Sequence, residues 1–138
     1  MDFKKVEYAN LNGKQKEIFN FQTTAGKLAK YGFNCIKLAD DWNGVDFLAY
    51  HYEGVQTLKV QLKSRVTVAQ AYIGQNLFMA FPVNHRTQWC LIEHDNLVTV
   101  IRENVGEASD EISWSATGTY HMAEPSVVVL QRLSPYLL

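Results

Sequence analysis

Cysteine is scarce in this chain of 138 residues, and the two present, Cys35 and Cys90, stand far apart and outside any paired spacing. A disulfide framework and a thiolate zinc site therefore have nothing to build on, and two buried thiols in a reducing compartment are expected. His51, His85, His94 and His121 fall at no spacing that gathers zinc ligands, so they read as core or surface histidines. No Gly-rich loop precedes a helix and no serine lies in a nucleophile elbow, which excludes nucleoside triphosphate or dinucleotide cofactors and Ser-His-Asp hydrolysis. Apolar runs are all short of a membrane span, and the charged start Met1-Asp2-Phe3-Lys4-Lys5 leads into no apolar signal segment. A soluble, cytoplasmic protein with no membrane partner is the expectation. Internal repeats and low-complexity segments are also missing.

What is present suits one core. With 47% hydrophobic residues, the chain is long enough to bury a single core and too short for two ordinary domains, so one domain over 1–138 is expected. The net charge of −1 hides an uneven distribution. Residues 1–65 hold ten Lys or Arg against seven Asp or Glu, giving +3, and residues 66–138 hold three against seven, giving −4. The basic share is enough to draw phosphate locally, although it also reads as ordinary solvated surface.

The stretch Gly44–Arg65 has the strongest local pattern. Leu58, Val60, Leu62 and Ser64 alternate with Lys59, Gln61, Lys63 and Arg65, which reads as a strand with one buried face. A short turn at Glu53-Gly54 joins it to a preceding strand that begins near Val45. If Glu53 and Gly54 are the two central turn residues, Tyr52 faces Val55 and Asp46 faces Gln61. If the loop is Glu53–Gln56, Asp46 faces Lys63 instead. Either register gathers Asp46, Gln61 and Lys63, since opposed Cβ atoms lie roughly 5 Å apart and alternate residues about 7 Å along a strand.

A carboxylate, an amide oxygen and an ammonium at one spot suit divalent-metal hydrolysis of a phosphodiester. Asp46 and the Gln61 oxygen are hard ligands for Mg²⁺, with Mn²⁺ able to substitute. Lys63 is a point charge on a flexible stem that can orient a water or hold a phosphate. Lys59 and Arg65, on the same strand face, are the candidate nucleic-acid contacts.

Asp46 after Gly44-Val45, then a hairpin, then Gln61-Leu62-Lys63, resembles the PD-(D/E)XK nuclease superfamily in its variant with glutamine before X-K. Upstream, Gly13, Glu17, Leu28 and the Tyr31-Gly32-Phe33 corner are similar to the leading helix of members like Holliday-junction resolvases and restriction endonucleases. The resemblance spans residues 12–65. It implies an α/β fold of restriction-endonuclease type, with a central mixed sheet of about five strands flanked by helices, and a metal-dependent endonuclease acting on duplex or branched DNA. It also implies that Glu17 is a further carboxylate leaning toward the metal. Cutting both strands takes two sites, so a homodimer or larger homo-oligomer is expected. The neutral Gln61 and the net negative charge keep a second reading open, a catalytically weak or inactive member that binds nucleic acid or protein. A third reading, hydrolysis of a diester outside nucleic acid, also stays open.

Residues 1–11 form an arm or short strand. Asn12 and Gln15 make a capping box for a helix from Gly13 to Tyr31, with Lys27 and Lys30 in its last turn and Gly32 as its left-handed end. Asn34–Leu38 reads as a strand, and Asp40–Gly44 as a loop that delivers Val45 and Asp46. Two buried strands follow, one over Leu77–Phe81 ended by Pro82 and one over Trp89–Ile92, joined by the turn Asn84–Thr87. Asp95 caps a helix over Asn96–Arg102, although a strand also suits these residues. Residues 104–119 read as a loop around Ile112 and Trp114. A last helix runs from Pro125 to Leu133, with a strand as the alternative for its three valines.

Overall fold

The computed structural model describes residues 1–104 and 118–138. Its element order is α1 (Gly13–Ala29), β1 (Phe33–Trp42), β2 (Val45–His51), β3 (Thr57–Leu62), β4 (Val66–Ala69), β5 (Leu77–Val83), β6 (Gln88–Glu93), α2 (His94–Asn104), β7 (Thr119–Met122) and α3 (Val127–Leu133). Five strands form a mixed sheet in the order β1-β2-β3-β5-β6, parallel only between β3 and β5. β4 and β7 pair in a separate antiparallel ribbon. The expected mixed sheet of five strands flanked by helices is therefore present.

The first helix starts where the capping box places it. Asn12 Oδ1 accepts from Gln15 N–H at 2.9 Å, and Gln15 Oε1 accepts from Asn12 N–H at 3.0 Å, a reciprocal pair that satisfies two orphan donors. The helix ends at Ala29 rather than Tyr31, because Lys30, Tyr31 and Gly32 close short turns onto Lys27, Leu28 and Ala29. Gly32 has φ +86°, and a Cβ there would lie 2.5 Å from Tyr52 Cδ1. That corner needs glycine both for its backbone and for its contact.

The β2–β3 hairpin takes the first of the two registers, with Phe47 opposite Val60 and Tyr50 opposite Thr57. Its loop is wider than Glu53-Gly54 alone. His51 N–H donates to the Gln56 carbonyl at 2.9 Å, while Tyr52 N–H donates at 2.8 Å to the carbonyl of Gly32. Tyr52 thus spends its donor on the α1–β1 corner and does not pair with Val55.

The sheet separates two apolar clusters. Leu28 of α1 packs with Phe47, Ala49, Leu58, Val60 and Ala80 on one side. On the other, Leu77, Met79, Phe81 and Ile92 meet Leu97 and Ile101 of α2, Val129 and Leu133 of α3, and Val66 and Val68 of β4. Full burial of side chains such as Phe47, Val60 and Ile92 stabilises by about 1.5–3 kcal/mol each. Val45 packs in the second cluster and Phe47 in the first, so strict alternation breaks at Asp46 between them. The β1–β2 register shifts over the same stretch, between Lys37 and Trp42.

Several expectations are corrected. Residues 1–11 form no strand; their one regular element is a 3₁₀ turn at Tyr8–Asn10. Asp40 to Trp42 belong to β1 rather than to a loop, and only Asn43 (φ 56°) and Gly44 (φ 80°) make the turn. Pro82 lies inside β5, opposite Trp89. Ala80 turns its carbonyl to Lys63 N–H, so Pro82, two residues on, turns its missing donor the same way and past the end of β3. α2 is a helix that begins at His94, placing Asp95 within the first turn. α3 begins at Val127 rather than Pro125, capped by Ser126, which accepts from Val129 N–H. Of the loop expected over 104–119, residues 105–117 with Ile112 and Trp114 lie outside the described residues, and Thr119 begins β7.

Candidate active site

Asp46, Gln61 and Lys63 reach one cavity at the end of β2 and β3 where the ladder stops. The last β2–β3 pair is Phe47 with Val60. Beyond it, Leu62 N–H donates to Asp46 Oδ2 at 2.8 Å, so a side-chain carboxylate takes the place of a backbone acceptor. On the other edge of β3, Lys63 N–H donates to the Ala80 carbonyl at 2.9 Å. Gln61 and Lys63 are therefore held by a strand fastened on both sides while the sheet opens at this end.

The cavity has a volume of about 370 Å³, and α1 forms its other wall with Glu17, Asn20 and Phe21, joined by Lys37 of β1 and Tyr8. Gln61 is 5% exposed, and its Oε1 is buried without a hydrogen-bond partner. An orphaned acceptor of this kind costs about 1–3 kcal/mol. Glu17 lines the same cavity but is 55% exposed, with its carboxylate 3.7 Å from Lys14 Nζ and 3.6 Å from Lys37 Nζ. The four residues expected at the site thus share one cavity, Gln61 buried, Asp46 half-buried and Glu17 exposed.

The donor set fits a hard divalent cation: a carboxylate, a desolvated amide oxygen lacking any donor, and room for waters and substrate oxygens. Among the described residues no three His, Cys, Asp or Glu side chains gather closely enough to hold an ion.

Lys59 and Arg65 lie apart from it. Lys59 Nζ donates to the Gln75 carbonyl at 2.8 Å and faces a neighbouring groove with Trp42 and Tyr72. Arg65 is exposed beyond the end of β3. Ser64, given no role from sequence, lines the cavity. Asp40 is exposed and lines a different groove with Leu38 and Trp42, and the Asp41 side chain lies outside the described residues.

Lys37, Asn20, Tyr8 and Arg86 escaped the sequence reading. Lys37 could have been found: it continues the alternation Phe33, Cys35, Lys37, and Cys35 packs on the cluster beneath α1. Arg86 gave no local signal. Its guanidinium lies 3.5 Å from the Tyr8 ring centroid and donates to Asn20 Oδ1. Burial lowers its pKa below the usual arginine value, with Tyr8 acting in the opposite sense. Neither thiol lines this cavity. Burial pushes Cys35 up to about 11 and Cys90 up to about 12, and they stand on β1 and β6, the two opposite edges of the sheet.

No protein-family model matches this chain, and no curated protein matches it. Solved structures do. A bacterial homing endonuclease, I-Ssp6803I, superposes with a TM-score of 0.51 at 18% identity over 90% of this chain and 95% of its own. Hjc, a Holliday junction resolvase from the archaeal hyperthermophile Archaeoglobus fulgidus, superposes with a TM-score of 0.40 at 19% identity over 52% of this chain and 74% of its own. The first likeness, which runs through nearly the whole length of both chains, carries the assignment: the fold is α/β of restriction-endonuclease-like architecture.

Proposed function

We propose that this protein is a metal-dependent endonuclease that hydrolyses phosphodiester bonds in DNA. The observation that carries the reading is the buried Gln61 Oε1, without a donor, in a cavity shared with Asp46 and Lys63. Asp46 and Gln61 would hold Mg²⁺, or Mn²⁺ in its place, with Glu17 as an auxiliary carboxylate. When bound, the ion would lower the pKa of a water and neutralise charge developing on the phosphate. Lys63, which lines the same cavity, would donate from its ammonium to a non-bridging phosphate oxygen or to the attacking water and so help orient them. Leu62 N–H holds one Asp46 oxygen. Likeness of this chain's fold to a homing endonuclease supports nuclease chemistry by analogy.

Duplex or branched DNA is the proposed partner, met in the cytoplasm by a homodimer or larger assembly if both strands are cut. A supercoiled-plasmid nicking assay with wild type and Lys63→Ala, in Mg²⁺, Mn²⁺ and EDTA, tests the reading. Metal-dependent nicking by wild type alone is expected. Equal background in every lane would favour the second reading, a binding member of the fold. That reading draws on the neutrality of Gln61 and on the lack of a three-ligand His, Cys, Asp or Glu cluster among the described residues.

A further inference from the structure

Arg86 closes a run of three left-handed residues in the β5–β6 turn, with φ 52° at Asn84, 53° at His85 and 66° at Arg86. Such backbone is strained without glycine and persists where surroundings hold it. Thr87 closes the turn by donating from N and Oγ1 to the Asn84 carbonyl, which accounts for the loop but not for an arginine in it.

The side chain crosses to α1. Its guanidinium lies 3.5 Å from the centroid of Tyr8 and 5.7 Å from that of Trp89. Asn20, only 6% exposed, accepts from Arg86 through Oδ1 and donates through Nδ2 to Tyr8 Oη at 3.1 Å. A buried amide therefore fixes the arginine and the ring relative to each other. Lys16 Nζ lies 5.3 Å from the centroid of the same ring. Two cations share one aromatic group, and Tyr8, Lys16 and Asn20 all line the cavity of Asp46, Gln61 and Lys63.

Of the cations near this cluster, Lys14 and Lys37 pair with Glu17. Among the described residues neither Arg86 nor Lys16 has a carboxylate within ion-pair distance. A guanidinium drawn partly out of water with only neutral partners is costly unless an anion completes its shell. The planar fork of arginine, with donors left over after the bond to Asn20, matches two oxygens of one phosphate.

We propose that Arg86 and Lys16, each set on the Tyr8 ring, form a second phosphate subsite beside the cavity, holding a backbone phosphate of the nucleic acid other than the one met by Lys63. The identity of the ligand rests on the nuclease reading; the geometry of the cation pair does not. Asn20 is a positioning residue in this cluster.

The test is equilibrium binding of a short labelled DNA duplex in EDTA across a salt series, with plasmid nicking in Mg²⁺ run beside it. Each lost phosphate contact lowers the slope of log K against log salt by about one. Arg86→Gln and Lys16→Gln are each expected to show that loss and to weaken binding about tenfold at fixed salt. Arg86→Lys should recover the slope, and Arg102→Gln on α2 should match wild type. If Arg86→Gln melts, Lys16→Gln carries the test alone. Unchanged slopes in the folded glutamine variants, or wild type without salt-dependent binding, overturn the subsite. The lowered slopes without any metal-dependent nicking would remove the nuclease reading and leave the subsite standing. Nicking with unchanged slopes would do the reverse.

Discussion

Asp46 and Leu62 are joined by a 2.8 Å hydrogen bond in which the Leu62 backbone N–H donates to Asp46 Oδ2, just past the last ladder pair of β2 and β3. The carboxylate is thus a structural acceptor before it is anything else, and its two roles separate by mutation. Asp46→Asn keeps an oxygen for Leu62 N–H and should change unfolding free energy by less than about 1 kcal/mol. Asp46→Ala leaves a half-buried donor unmet and should cost about 1–3 kcal/mol. Both should lose Mn²⁺ affinity by tenfold or more in titration calorimetry, an order-of-magnitude figure for one lost anionic ligand. Wild-type affinity in Asp46→Asn would remove Asp46 from the metal set.

Gln61 offers the converse experiment. Gln61→Glu keeps the shape and places a charge where the amide is 5% exposed. Without metal the variant should be less stable than wild type by about 1–3 kcal/mol at neutral pH, the cost of burying an acceptor-only group. Mn²⁺ should reverse the order, raising the melting temperature of Gln61→Glu more than that of wild type, because binding to the folded state alone adds stability. A metal-independent melting temperature in both proteins would mean that this oxygen faces no cation.

Local chemistry made much of this fold legible. The Asn12–Gln15 capping box, the glycine at 32 and the Asn43-Gly44 turn each act within a few residues, and the structure contains all three. Both candidate registers put Asp46, Gln61 and Lys63 on one side of the hairpin, and the three line one cavity, but the break in alternation at Asp46 was not legible. What stayed hidden depends on partners far along the chain. Pro82 reads as a strand end until it is clear that β3 stops before reaching it. Arg86 touches Asn20 across 66 residues, and Tyr8 looks like an idle aromatic until both cations are placed on it. β7 pairs with β4, its partner 50 or more residues earlier. Apolar β-branched runs such as Val127–Val129 leave a strand as an alternative to the helix, and the Ser126 cap and packing on α2 decide for helix.

His94 makes stability depend on pH in a predictable direction. It is 1% exposed, and its Nε2 accepts from the Ala69 backbone N–H at 3.1 Å while Nδ1 lies 3.1 Å from Asp95 Oδ1. Asp95 in turn accepts from Gly74 N–H at 3.0 Å, so the pair ties the β4–β5 crossover to the start of α2. An acceptor at Nε2 must be unprotonated, and the proton then sits on Nδ1 facing Asp95. Burial lowers the His94 pKa below its ordinary value of 6.5, and the hydrogen bond and charge of Asp95 oppose that only in part. The depressed value fixes the sign. Stability from the neutral ring is complete above about 6.5, the pKa in the unfolded chain, and is lost as pH falls from there toward the lower pKa of the folded state. His94→Gln, which has an acceptor but does not titrate, should be less stable than wild type by about 1–3 kcal/mol at pH 8. Urea unfolding should show that gap narrowing between pH 7 and pH 5 as the wild type takes up its proton. A gap that stays constant across the range would mean that His94 titrates alike in both states and that the Ala69 bond does not govern it.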